Sequence, residues 1–127
     1  MTQRPFDLAT EPYVSLATYK RSGEEVRTPV WIAGADNCYF VFSEGNAGKV
    51  KRIRANGKAR IAACTFKGDI RGDWLDAQAR IVTEADTIGS AYAALRAKYK
   101  LQMKVLDVFS RLSGRYNKRA IIELKTG

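Results

Sequence analysis

The sequence predicts a mainly β protein with accessory helices, built as a six-stranded antiparallel barrel in one domain. Five strand-like segments follow one another across short polar turns, with a basic helical segment after the third. Two further helical segments and a last strand complete the chain. Six strands that close on themselves leave few exposed edges, which favours a barrel. The 127 residues are the size of one domain, residues 1–127, with residues 1–12 as a lead-in.

The first three strands are predicted at residues 13–19, 26–33 and 38–42. Pro29 lies inside the second of these, and a proline cannot donate a ladder hydrogen bond. It therefore indicates a sheet edge, a bulge or a barrel rim. Such an edge would leave backbone groups of Thr28 and Val30 available to a ligand. An edge-strand proline without any ligand explains the residue equally well.

The remaining strands are predicted at residues 58–66, 73–82 and 119–124. A helix opens at residues 83–86, and a second helical stretch covers residues 103–112. The first of these helices has one apolar face, formed by Ile88, Ala91, Tyr92, Leu95 and Tyr99.

The segment from Ser43 to Arg54 is the candidate binding element. It leaves an aromatic strand, turns through two glycines and opens a short basic helix that Gly57 caps. Free N–H groups at a helix start attract anions, and Lys49 adds a full positive charge there. The segment predicts a phosphate site, although a solvated basic helix after a surface loop fits the same residues.

Composition narrows the possible functions. The net charge of +9 indicates an anionic partner, although the basic residues are scattered and are dense only over residues 49–60. The sequence has no histidine, which excludes imidazole zinc sites and histidine-dependent nucleophile pairs, so we expect no metal site. Cys38 and Cys64 are expected to be buried free thiols. With no apolar run of membrane-spanning length and no secretory signal, we expect a soluble, cytoplasmic protein.

The segments Thr28–Trp31, Phe42–Ser43, Gly48–Arg54 and Ala62–Cys64 carry a family resemblance in their order and spacing. Together they resemble the flavin-binding split β-barrel family of pyridoxamine 5'-phosphate oxidase. The greatest similarity is to its branch of deazaflavin (coenzyme F-420)-dependent oxidoreductases, marked by TPVW followed by GKVKRIR. The resemblance covers roughly residues 13 to 125.

The resemblance implies a homodimer that holds FMN or coenzyme F-420 in a groove between its subunits. Ser43 and Lys49 would bind the phosphate, and Arg52 would be a further contact. The implied cofactor-binding residues are Arg27, Thr28, Pro29, Val30, Phe42, Ser43, Gly48, Lys49, Arg52 and Ala63. Pyridoxamine 5'-phosphate oxidase itself has an arginine where this chain has Gly48, and its substrate-binding histidine has no match here. Vitamin B6 oxidation is therefore not expected.

The functional hypothesis is an oxidoreductase that transfers a hydride to or from a small organic substrate, with the chemistry carried by the cofactor. No proton donor is identified, and Tyr19, Tyr39 and Trp74 are no better candidates than core residues. The dense basic segment mildly favours coenzyme F-420, because its polyglutamate tail is acidic. The alternatives are an FMN-binding relative without B6 activity, or a non-catalytic barrel that binds a cofactor, haem or nucleic acid. Nucleic acid is disfavoured, because the aromatic residues alternate as core residues do.

Overall fold

The computed structural model describes residues 8–114 and 119–127. They form seven strands and two helices. The strands are β1 (Val14–Tyr19), β2 (Glu25–Val30), β3 (Ala33–Ala35), β4 (Cys38–Glu44), β5 (Lys58–Ala63), β6 (Leu75–Ile81) and β7 (Arg119–Thr126). The helices are α1 (Gly48–Asn56) and α2 (Ala85–Leu112). The predicted lead-in lies outside the described residues up to residue 7, and Leu8 is buried in the core.

The strands form one antiparallel sheet in the order β2-β1-β5-β6-β7-β4-β3. Its two edge strands, β2 and β3, are separated in the chain only by Trp31 and Ile32. Three peptide units span no more than about 11 Å, so the two edges must come close together and the sheet must curl. The result is the predicted split barrel, left open between β2 and β3.

The predicted count of six strands is corrected to seven. Residues 26–33 were expected to be one strand, but β2 ends at Val30 and β3 begins at Ala33. The reason is that the chain crosses between the two edges at this point. The backbone N–H of Ile32 donates to the Tyr99 hydroxyl at 3.0 Å, outside any strand ladder. The β5 strand also ends earlier than predicted, and Cys64 keeps a single bridge to Ile70.

The barrel interior is a hydrophobic core to which most strands contribute. Alternate residues of β1 point inward, as do Tyr39 and Val41 of β4. Helix α1 contributes Val50 and Ile53 to this core, as their spacing predicts. Gly57 ends the helix in the left-handed conformation, with φ of 63°, which also agrees with the sequence.

Helix α2 covers the outer face of the sheet in two arms. Lys100 has non-helical angles, φ 43° and ψ −113°, and separates a first arm (residues 85–99) from a second arm (residues 101–112). Arg96 donates to Asp107 at 3.1 Å, whereas eleven residues of straight helix would separate them by about 16 Å. The second arm therefore folds back on the first, and the two predicted helical stretches correspond to the two arms.

The remaining observations concern the thiols and the membrane. Cys38 and Cys64 are both free, as predicted. Cys64 is buried, whereas Cys38 is only partly buried, which corrects the expectation that both thiols are buried. Burial raises the pKa of each thiol. In the part of the chain that the structure describes, no helix is both long and apolar enough to cross a bilayer.

Candidate anion-binding site

The start of α1 presents backbone donors with no side-chain cap. A turn closed by the Ala47 N–H and the Glu44 carbonyl, 3.0 Å apart, leads from β4 into the helix. Ala47 occupies the cap position and makes no side-chain hydrogen bond to the helix. The first N–H groups of a helix lack intrahelical acceptors and carry partial positive charge. The alanine side chain has no acceptor for these N–H groups, so an anion at this turn could accept their hydrogen bonds.

Lys49 places a partly buried ammonium group in the first turn of α1. Burial lowers its pKa, and the neighbouring positive charge of Arg52 lowers the pKa further. Glu44 acts in the opposite direction and raises it. A cation held among other cations is stabilised by an arriving anion, so the direction of the shift fits an anion-binding position.

Gly48 makes room for the guanidinium of Arg52. A Cβ atom added to Gly48 would lie 2.7 Å from Nη1 of Arg52, which is shorter than any van der Waals contact. Arg52 is also fixed from behind, because its Nε donates to Oγ1 of Thr18 at 2.7 Å. The structure thus places a guanidinium group beside Gly48, at the start of α1.

The edge strand β2 offers backbone groups at the open edge of the sheet, but not those that the sequence indicated. Lys20 N–H donates to Glu24 O at 2.9 Å, which makes this couple a hydrogen-bonded pair of the ladder. Hydrogen-bonded pairs recur at every second residue of antiparallel strands. The backbone N–H and carbonyl groups of Thr28 and Val30 are therefore bonded to β1 and do not face the open edge. The outward groups are the N–H and carbonyl of Arg27 and the carbonyl of Pro29. The expectation for Thr28 and Val30 is corrected, and Pro29 lies on a sheet edge as predicted.

An aromatic contact joins the end of β2 to the end of β4. The rings of Trp31 and Phe42 meet edge to face at 6.2 Å, and Trp31 stacks on Tyr99 at 4.5 Å. The Tyr99 hydroxyl donates to the Pro12 carbonyl at 2.8 Å and accepts the Ile32 N–H, which holds the link between the edges. Burial raises the pKa of Tyr99 to about 12, so its hydroxyl keeps its proton at neutral pH.

Two other predicted residues are less accessible. Ser43 is buried, and its hydroxyl donates to the Glu44 carbonyl at 3.3 Å, so it would have to turn to meet a phosphate. Ala63 lies opposite Val14 inside the barrel, two strands away from Val30, and its side chain is buried. Contact with a ligand there would have to use the backbone. The assignment of all ten predicted residues stays a prediction.

Several residues around the site gave no signal in the sequence. The sequence indicated only that Thr18 is a strand residue, yet its hydroxyl accepts a hydrogen bond from Nε of Arg52. The three aromatic residues considered as proton donors have structural roles instead. Tyr39 is buried in the core, and the Tyr19 hydroxyl donates to Glu25 at 2.8 Å. The centre of the Trp74 ring lies 4.6 Å from each of two guanidinium groups.

Glu25 is held in its ionised form. Burial acts to raise its pKa, but hydrogen bonds from arginines and Tyr19 outweigh burial and lower the pKa to about 2.

A basic groove lies at the opposite end of α1. It has a volume of about 580 Å³ and lies between the β1–β2 hairpin and the last turn of the helix. Its lining residues are Tyr19, Lys20, Arg21, Gly23, Ala55, Asn56 and Lys58. Nine helical residues rise about 13 Å, which is the separation along the helix axis between the uncapped start and the end of α1 that lines the groove.

Comparison with known proteins identifies the fold. No protein-family model and no curated protein sequence matches the chain. A heme storage protein, HutZ from Vibrio cholerae, superposes with a TM-score of 0.70 at 15% identity, over 94% of this chain and 84% of its own. An F420 reductase gives 0.60 at 18% identity, over 94% and 90% of the two chains. A candidate pyridoxamine 5'-phosphate oxidase from Listeria innocua gives 0.62 at 7% identity, over 94% and 86%.

These likenesses confirm the fold that the sequence predicted. The chain is a split β-barrel of the kind found in pyridoxamine 5'-phosphate oxidase-like proteins. Proteins with this fold include an F420 reductase and a heme storage protein, so the fold does not specify one activity.

Proposed function

We propose that this protein is an oxidoreductase that binds a flavin-type cofactor, coenzyme F-420 or FMN, in a groove between two copies of the chain. It would transfer a hydride to or from a small organic substrate. The observation that carries the proposal is the arrangement at the start of α1. Gly48 leaves space for the Arg52 guanidinium beside the Lys49 ammonium and an uncapped helix start. The fold shared with an F420 reductase supports the same reading.

The residues at the site fit a phosphorylated cofactor. Lys49, Arg52 and the first N–H groups of α1 would hold the phosphate, because they combine two full positive charges with oriented donors. The backbone groups of Arg27 and Pro29 that face the open edge would meet the polar edge of the ring. Trp31 and Phe42 would exclude water between them. The cofactor supplies the hydride chemistry when bound, and the protein supplies position and a dry pocket.

The groove beyond α1 favours coenzyme F-420 over FMN. FMN ends at its phosphate, whereas the deazaflavin coenzyme continues into an acidic glutamate tail. A tail that starts at Lys49 would have to follow α1 over its length of about 13 Å to reach the basic groove. Arg21 and Lys58 would meet its carboxylates there.

The phosphate site is tested by titrating the apo-protein with each cofactor while its fluorescence is followed. Lys49→Ala should weaken binding roughly ten- to a hundredfold, since a charge-assisted hydrogen bond contributes about 1.5–3 kcal/mol. Lys51→Ala is the matched control, because Lys51 carries the same charge on the same helix but is exposed. An equal loss in the two variants would mean that only net charge matters, and the proposed phosphate site would be wrong.

The choice between cofactors is tested by the double variant Arg21→Ala/Lys58→Ala. It should weaken coenzyme F-420 binding about tenfold and leave FMN binding unchanged, because only the former would reach the groove. An FMN affinity that exceeds the coenzyme F-420 affinity in the wild type would overturn the preference for the deazaflavin.

A further inference from the structure

The second arm of α2 carries an apolar stripe that faces solvent. Its members are between 47% and 80% exposed and recur at intervals of four, three and four residues, with one more residue beside them. These are Leu101, Val105, Val108 and Leu112, with Phe109 at their side. At 100° per residue, their side chains fall within an arc of about 100° on one helical face.

The stripe lies opposite the face that packs against the rest of the chain. Met103 and Asp107 of the same arm are buried and point about 160° away from Val105. Met103 belongs to the core cluster that α2 forms with the sheet. The arm therefore has a packed face of its own, and the stripe is additional apolar surface that the fold does not use.

An ion-pair network holds the arm in this orientation. Arg119 of β7 donates to Asp107 at 2.8 Å and to the Ser110 hydroxyl at 2.7 Å. Both members of the Arg119–Asp107 pair are buried, and Arg96 of the first arm donates to the same carboxylate at 3.1 Å. Turning the stripe inward would break these bonds, so the arm presents it to solvent in a fixed orientation.

Positive charge lies beside the stripe, without negative charge. Lys104 and Arg111 are exposed, and their positions on the helix are about 40° and 60° from that of Val108, at one edge of the stripe. Asp107 is the one acidic residue of segment 101–112, and it is buried in the ion-pair network. The exposed surface of the arm is therefore apolar and basic, with no carboxylate.

This combination fits an anionic lipid surface better than a second copy of the arm. Helices that pair along an apolar seam carry opposite charges beside it, whereas two copies of this arm would bring only cations together. Helices that lie in the plane of a lipid interface combine an apolar face with lysine and arginine, and anionic headgroups attract them. The net charge of +9 acts in the same direction.

We propose that the second arm of α2 docks on an anionic membrane surface, with the stripe turned into the boundary between headgroups and acyl chains. The exposed area of the five side chains is on the order of 500 Å², as large as the greatest apolar patch of an ordinary monomer. Twelve helical residues extend about 18 Å in the plane of the headgroups, so this contact requires no spanning segment. The inference is independent of the proposed function.

The test is co-sedimentation of the purified protein with vesicles, either of pure phosphatidylcholine or of phosphatidylcholine and phosphatidylserine in equal amounts. We expect at least tenfold stronger binding to the mixed vesicles, because they carry negative charge. Phe109→Glu should weaken that binding about ten- to a hundredfold, because the inserted ring is replaced by a carboxylate.

The matched control is Phe66→Glu, which changes the net charge equally. Phe66 and Phe109 are both 66% exposed, but Phe66 lies in the turn after β5, outside the stripe. This variant should keep the wild-type affinity for the mixed vesicles. Circular dichroism verifies that both variants remain folded.

A second pair of variants tests the charge beside the stripe. Lys104→Gln should weaken binding to the mixed vesicles about fivefold at low ionic strength, and added salt should reduce the difference. Lys51→Gln is its control, because Lys51 is equally charged and exposed but lies on α1.

Three results would overturn the proposal. The first is equal binding to the two kinds of vesicle, or binding to neither. The second is an equal loss in Phe109→Glu and Phe66→Glu, since net charge and not the stripe would then govern binding. The third is a wild-type dimer that Phe109→Glu dissociates, since a second copy would then cover the stripe. Cofactor titration of the same variants reports on the proposed function separately, because neither phenylalanine lies at the start of α1.

Discussion

Replacing Gly48 by alanine should lower cofactor affinity with little net change in stability, because the gain in helix propensity is offset by the displacement of Arg52 from Thr18. Gly48 is the first residue of α1, and its backbone does not require a positive φ, so alanine is compatible with its conformation. Alanine is the better helix residue, by at most about 1 kcal/mol. The new methyl group would, however, lie 2.7 Å from Nη1 of Arg52. The guanidinium would have to move away from the helix start.

The loss of affinity follows from that displacement. A hydrogen bond from a guanidinium to a phosphate contributes about 1.5–3 kcal/mol, and a shifted Arg52 would lose at least the lower figure. We therefore expect FMN and coenzyme F-420 to bind about tenfold more weakly to Gly48→Ala. Urea unfolding measures the stability, and fluorescence titration measures the affinity.

Two further variants make this prediction decisive. Gly89→Ala is the control, because Gly89 lies in α2 and a Cβ added there meets no atom within 4 Å. It should raise stability without any effect on affinity. Thr18→Val removes the hydroxyl that holds Arg52 and should weaken binding by a second route. Unchanged affinity in both Gly48→Ala and Thr18→Val would show that Arg52 does not contact the ligand, and the reasoning would be refuted.

Three other predictions concern the site and its support. Burial and the charge of Arg52 lower the pKa of Lys49. Cofactor affinity should therefore be greatest below that pKa and decrease as the pH rises through it. Lys49→Arg should remove this decrease in affinity in alkaline titrations, because an arginine stays protonated there. Tyr99→Phe leaves the Ile32 N–H without its acceptor and should lower the free energy of unfolding in urea by about 1–3 kcal/mol. Asp107→Asn removes the carboxylate that pairs with the buried guanidinium of Arg119 and should lower the free energy of unfolding by about 3 kcal/mol in the same assay. An unchanged urea midpoint would mean that the ion pair adds no stability.

Local sequence signals predicted most of the architecture. Alternating residues in the strands, the spacing of Val50 and Ile53, and Gly57 each act over a few residues, and the structure confirms each of them. The boundary between β2 and β3 could not be predicted in this way. It depends on the Tyr99 hydroxyl, which lies 67 residues further along the chain from Ile32.

The candidate site also has parts that short motifs predicted and parts that depend on contacts distant in sequence. The basic helix start and the edge proline are visible as short motifs, because their residues are contiguous. The placement of Arg52 is not, since Thr18 holds it from another strand, 34 residues earlier. The direction of the β2 backbone groups also depends on pairing with β1, and a shift of one residue would reverse it.

The fold leaves the ligand open, and the charges at α1 narrow the choice. A heme storage protein and an F420 reductase share this split barrel, so the barrel itself favours neither haem nor flavin. This sequence has no histidine to offer to a haem iron, whereas Lys49 and Arg52 lie at the start of α1. Arg52 is held there by a neutral hydroxyl and not by a carboxylate, so its charge remains available to an anion. A phosphorylated ligand, as proposed, would meet that charge, the Lys49 ammonium and the helix donors at a single point.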